Sequence, residues 1–163
     1  MNKPVKALVF TALSCLPLSA FSATATTTLP VTATVLNVCT VSAVPLALGN
    51  YDPTSATATD GTSTITVLCT LSQAYNVRLS QGVNGSSVTA RKMIRTSGTD
   101  LLGYTLYRDA SRTLNWGITD ATDTVDVTGT GVAQVHTVYG RIPASSAVAA
   151  GAYTDTVTVT VNY

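Results

Sequence analysis

The run Tyr153-Thr154-Asp155-Thr156-Val157-Thr158-Val159-Thr160-Val161-Asn162-Tyr163 decides the fold. Its apolar and polar residues alternate with period two, which sets Val157, Val159 and Val161 on one face of a β-strand and the threonines on the other. A helix needs apolar residues every three or four positions, and the chain almost never shows that spacing. Farther back, Ile65, Val67, Cys69 and Leu71 share one face while Thr64, Thr66, Leu68 and Thr70 take the other, so Cys69 is expected to point into a core. More strands are predicted over 75–81, 88–95, 101–108, 124–128 and 133–142. Turn signals separate them: Asp60-Gly61, Asn84-Gly85, Ser97-Gly98, Gly129-Thr130-Gly131, and Gly140 with Pro143 around Arg141. Thr, Val and Ala are abundant and helix formers scarce, so the composition agrees. Short strands at this spacing predict an all-β fold, an antiparallel sandwich of immunoglobulin-like type, in one domain without internal repeats.

The alternation returns at Leu29-Pro30-Val31-Thr32-Ala33-Thr34-Val35, where Leu29, Val31, Ala33 and Val35 project to one side. Pro30 removes one ladder donor, which suits an edge or inserted strand. Residues 24–28 just ahead are polar and featureless, as a flexible leader would be. Before them, Lys3 and Lys6, an apolar stretch over 7–18, and Ala20-Phe21-Ser22 or Ala23-Thr24-Ala25 describe a secretory signal with a small-x-small cleavage site. The organisation expected is a signal over 1–22, or over 1–25 if the second small-x-small site is cut, an arm over 23–38 and a sandwich domain over 39–163. The apolar stretch is shorter than the roughly 20 residues of a membrane helix. The exported chain is thus expected to open in one strand and close within another. Free strand edges carry unpaired donors and acceptors, so this arrangement predicts pairing between molecules, each chain a link in a polymer. The alternative is that the arm is the first strand of a complete fold.

Loss of Lys3, Lys6 and Cys15 with the signal leaves seven Lys and Arg (nine minus two) against eight Asp and no Glu, a net charge near −1. That balance offers nothing to nucleic acid or to an anionic membrane. Cys39 and Cys69 remain, an even count without His or Cys partners at metal-ligand spacing. In an oxidising compartment they read as a disulfide, with two buried free thiols as the alternative.

Chemistry-bearing residues are few. His136 is the lone histidine and lies inside a predicted strand, where a hydrogen-bonded structural role is the preferred reading. No Gly-x-Ser-x-Gly elbow accompanies it, so no enzyme is expected and no cofactor. Asp120, Asp123 and Asp126 are spaced by three, unlike a calcium loop, and read as a solvated turn rather than a metal site. Arg91, Lys92 and Arg95 are the only dense positive charge; they read as an exposed strand edge kept soluble, or as a contact to the acidic stretch of a neighbour. Tyr104, Tyr107 and Trp116 read as core aromatics, with a sugar platform as the rival.

A broader pattern joins these pieces. Cys39-Thr-Val-Ser-Ala-Val-Pro-Leu-Ala-Leu-Gly-Asn-Tyr-Asp-Pro53, Ile65-Thr-Val-Leu-Cys69, Leu101-Leu-Gly-Tyr-Thr-Leu-Tyr-Arg-Asp-Ala110, Asn115-Trp-Gly117, Val138-Tyr-Gly-Arg-Ile-Pro143 and the closing run from Gly151 resemble, in order, the spore coat protein U domain family. That family includes subunits of archaic chaperone–usher pili such as the Csu pilus. The resemblance covers about residues 29–163 and departs at Leu48, where the family commonly has Phe. It implies a sandwich lacking its last strand, into which a periplasmic chaperone lends a strand and an outer-membrane usher exchanges it for a neighbouring pilin's arm. Carried onto this chain, the donor strand would present Leu29, Val31, Ala33 and Val35, and the acceptor groove would be edged by Val157, Val159, Val161 and Tyr163. The implied role is a shaft or adaptor subunit of a cell-surface fimbrium, exported through the periplasm, supporting adhesion and biofilm formation. Two rivals stand beside it: a self-complemented spore-coat or surface structural protein, and a carbohydrate-binding module.

Overall fold

A computed structural model describes residues 22–163. The expected signal over 1–22 falls, Ser22 apart, outside the described residues. The chain divides into two units, one ending at Thr34 and one spanning Val35–Tyr163. Residues 22–38 belong to no strand. Leu29, Val31 and Val35 are 85%, 86% and 83% exposed, and Ala33 is exposed as well.

Nine strands occur among the described residues: β1 (Cys39–Ala43), β2 (Thr59–Cys69), β3 (Ala74–Leu79), β4 (Arg91–Arg95), β5 (Leu101–Tyr107), β6 (Val125–Thr128), β7 (Gln134–Ile142), β8 (Tyr153–Thr154) and β9 (Val159–Asn162). They form two antiparallel sheets, β1-β2-β7-β5-β4-β8 and β6-β3-β9. The alternation read in the sequence sets the core: Ile65, Val67 and Cys69 from β2, Tyr75, Val77 and Leu79 from β3, Leu102 and Leu106 from β5, and Val138 and Ile142 from β7 are all buried. Trp116 is fully buried among them and its indole Nε1 donates to Val77 O at 2.9 Å, so the ring adds bulk without orphaning its polar atom. A disulfide joins Cys39 to Cys69 across the β1–β2 pair.

Three features differ from the sequence expectations. β1 is too short for its alternation to stand out, and it is recruited by pairing with β2 from Cys39↔Cys69 to Ala43↔Ile65. β2 begins at Thr59, because Asp60 and Gly61 pair with Arg141 and Gly140 of β7 instead of turning. The closing run is not one strand. Its start, β8, pairs with β4 in the larger sheet, its end, β9, pairs with β3 in the smaller one, and residues 155–158 carry the chain between sheets. Period two reports which way side chains face, not which partner supplies the hydrogen bonds.

The basic cluster is corrected too. Arg91 is 1% exposed: Nε donates to Ser80 O at 2.8 Å, Nη1 to Val88 O at 2.6 Å, and Nη2 to Leu79 O at 2.9 Å and Trp116 O at 2.7 Å. Burial pushes its guanidinium down to about 10. Arg95 pairs with Asp100 at 2.6 Å, leaving Lys92 as the exposed cation of the three. The trio is therefore not one charged edge, since Arg91 faces the core in register with Tyr104.

Candidate acceptor groove

Among the described residues β1 pairs only with β2 and β9 only with β3, so each carries an edge unpaired there. Val41 stands opposite Val67 in the ladder and so shares its inward face, yet Val67 is fully buried and Val41 is 44% exposed.

Between these edges lies an apolar cavity of about 470 Å³. One rim is the stretch after β1, with Ala43, Val44, Leu46 and Leu48. Val44 N donates to Thr64 O at 2.9 Å and Ser63 Oγ donates to Val44 O at 2.5 Å, fixing that rim to β2. The other rim is the closing run, contributing Tyr153, Asp155, Val157 and Val159. Ile65, Leu79, Leu106 and Val138 form the floor. Cα atoms of β1 and β9 come within 8 Å of one another without sharing a ladder. A strand between two ladders needs about 9.5 Å, twice the inter-strand spacing, so β1 and β9 leave no place for one where they approach, and the open volume is the cavity lined by residues 153–159.

A carboxylate interrupts this wall. Asp155 Oδ1 accepts from Val83 N at 2.9 Å and from Asn84 Nδ2 at 3.2 Å, while Oδ2 accepts from the Tyr104 hydroxyl at 2.6 Å. Burial, and then the bond to Asp155, push the Tyr104 hydroxyl well above the usual phenol range, so it stays a donor. Gly82 has φ +82°, and a Cβ there would fall 1.9 Å from Asp155 Oδ2, so this close approach needs glycine.

Of the residues singled out from the sequence, Val157 and Val159 line the cavity. Val161 packs on the core opposite Val77, and Tyr163, past the end of β9, is 58% exposed. His136 is half-buried, 3.0 Å from the Tyr75 hydroxyl through Nε2, and burial lowers its pKa. The three aspartates take separate tasks: Asp120 pairs with Arg78, Asp123 accepts from Thr119 N, and Asp126 accepts from the Thr124 hydroxyl. Among the described residues no group of three or more metal-ligating side chains occurs. Tyr104 and Trp116 are core residues and form no exposed platform. Sequence reading missed Asp155, though it was legible: it occupies an inward position of the face that carries Val157 and Val159.

The fold is similar to the crystal structure of the CsuC–CsuE chaperone–tip adhesion subunit pre-assembly complex from archaic chaperone–usher Csu pili of Acinetobacter baumannii, with a TM-score of 0.60 and 24% identity. That match covers 80% of this chain and 40% of the other, so the chain spans well under half the length of that relative. Protein U of Myxococcus xanthus is 34% identical, over 98% of each chain. Residues 25–160 match the Spore Coat Protein U domain, and the chain belongs to that family.

Proposed function

We propose that this chain is a structural subunit, shaft or adaptor, of an exported chaperone–usher fibre that polymerises by donor-strand exchange. The observation that carries the reading is the apolar cavity between two unpaired strand edges, in a chain whose own residues 29–35 form an exposed run of matching period. An extended segment entering the cavity adds main-chain hydrogen bonds to a free edge and buries alternate side chains, the recognition mode of strand addition. The donor is the arm over 23–38 of the neighbouring subunit, with Leu29, Val31, Ala33 and Val35 as its inward side chains. Each large apolar side chain buried in this way contributes about 1.5–3 kcal/mol, enough in sum to hold a fibre without covalent links. Before assembly a periplasmic chaperone fills the groove, and an outer-membrane usher exchanges it at export to the cell surface, where the fibre serves adhesion and biofilm formation.

The test is a chain lacking residues 26–35 behind an intact signal. Chaperone capture is expected to persist while heat-sensitive multimers disappear from unheated gels. A truncated chain that still polymerises, or a full-length chain that forms no multimers once freed of chaperone, overturns the reading.

A further inference from the structure

Resting on that reading, we infer that the incoming arm of a second copy lies antiparallel to the closing run with Ala33 against Asp155, which makes the Asp155–Tyr104 pair the group that selects a small side chain and fixes the register. The cavity receives four inward positions from the closing run: Tyr153, Asp155, Val157 and Val159. Three are apolar, and one is a carboxylate that already accepts three hydrogen bonds, from Val83, Asn84 and Tyr104. The arm also has four inward positions, three large and apolar, and one, Ala33, small. Both segments are seven residues long, about 20 Å from first to last Cα in strand conformation. A large apolar side chain over Asp155 would desolvate a carboxylate without offering a hydrogen bond, whereas alanine's methyl leaves its existing bonds undisturbed.

Only one orientation uses every position. With Ala33 opposite Asp155 in antiparallel sense, Leu29 meets Val159, Val31 meets Val157 and Val35 meets Tyr153. In the parallel sense Leu29 runs past the cavity to Gly151 and Val159 is left uncovered. Antiparallel pairing also repeats the geometry of every ladder in the fold.

Full-length chains with paired cysteines read the register directly. Directly opposed strand residues have Cα atoms about 4.5–5.5 Å apart, within disulfide reach, and diagonal ones fall outside it. Val31→Cys with Val157→Cys is expected to give covalent multimers under mild oxidant, at least tenfold above Ala33→Cys or Val35→Cys with the same Val157→Cys. Ala33→Leu should lower multimer yield at least tenfold while Thr32→Leu, on the outward face, retains it, a readout independent of the added thiols. Predominant cross-linking through position 33 or 35, or normal assembly of Ala33→Leu, overturns the register. If wild-type chains form no multimers, the donor-arm reading itself fails instead.

Discussion

The Tyr104 hydroxyl donates to Asp155 Oδ2 at 2.6 Å, linking the middle of β5 to the point where the closing run leaves one sheet for the other. Residues 155–158 lie outside the ladders and are held by Asp155 on one side and by Ser80 on the other, whose Oγ accepts from Thr158 N at 2.9 Å and whose N donates to Thr158 O at 3.0 Å. Tyr104→Phe keeps the ring in the core and removes one donor from a partly buried carboxylate. The expected loss is about 1–3 kcal/mol, several degrees in thermal unfolding of the purified chain. An unchanged melting temperature would show that the pair does not hold the crossing.

Arg91 places one cation under four main-chain carbonyls from β3, the loop that follows it, and Trp116. Arg91→Met keeps most of the volume but leaves those carbonyls without donors, at an expected cost of about 3–5 kcal/mol. Arg91→Lys should recover little, since an ammonium cannot reproduce the planar fork. Urea midpoints of the three proteins compare these outcomes.

The division between what the sequence disclosed and what it concealed follows the same residues. Alternation along 65–71 placed Ile65, Val67 and Cys69 on the inward face, because burial of one face of a strand writes itself into composition, but it also put Leu71 there, and Leu71, past the end of β2, is exposed. Arg91 was misread as solvated because its compensation comes from carbonyls that no residue type announces. The crossing at 155–158 was hidden for a related reason: Asp155 breaks the apolar face by one residue, and only contact with Tyr104, 51 positions away, shows what it does. The cavity itself is a property of two edges, β1 and β9, that lie at opposite ends of the domain's sequence.

The Cys39–Cys69 bridge closes a separation of 30 residues and ties the first residue of β1 to the end of β2. Cys39→Ser with Cys69→Ser is expected to lower stability by about 3–4 kcal/mol on the chain-entropy account. Mass spectrometry of the exported wild-type chain should show both thiols oxidised. Free thiols in a folded sample, or a double variant of unaltered stability, would contradict this.

His136 supplies a pH dependence whose sign is set by burial. Its folded pKa lies below the ordinary 6.5, so the unfolded chain takes up the proton first as pH falls. Its contribution to stability is complete above pH 6.5, declines as pH falls toward the depressed folded value, and declines no further beneath it. Against wild type, His136→Gln should show a flatter urea midpoint across this window. Parallel curves for the two proteins would remove His136 as the cause.

Two neighbouring positions in the arm, Thr32 and Ala33, separate its outward from its inward face. Ala33 shares its face with Val31 and Val35, while Thr32 projects to the opposite side of an extended strand. Ala33→Asp would bring a carboxylate into an apolar cavity beside Asp155, whose oxygens already have donors, so the new charge is desolvated and repelled together. An unpaired charge so placed costs about 3–5 kcal/mol, comparable to the contribution of two apolar side chains of the arm. Thr32→Asp stays in solvent and should assemble at close to the wild-type level. Fibres counted by electron microscopy, with multimer ladders on unheated gels, report the difference, and equal assembly by the two variants would show that Ala33 does not face the groove.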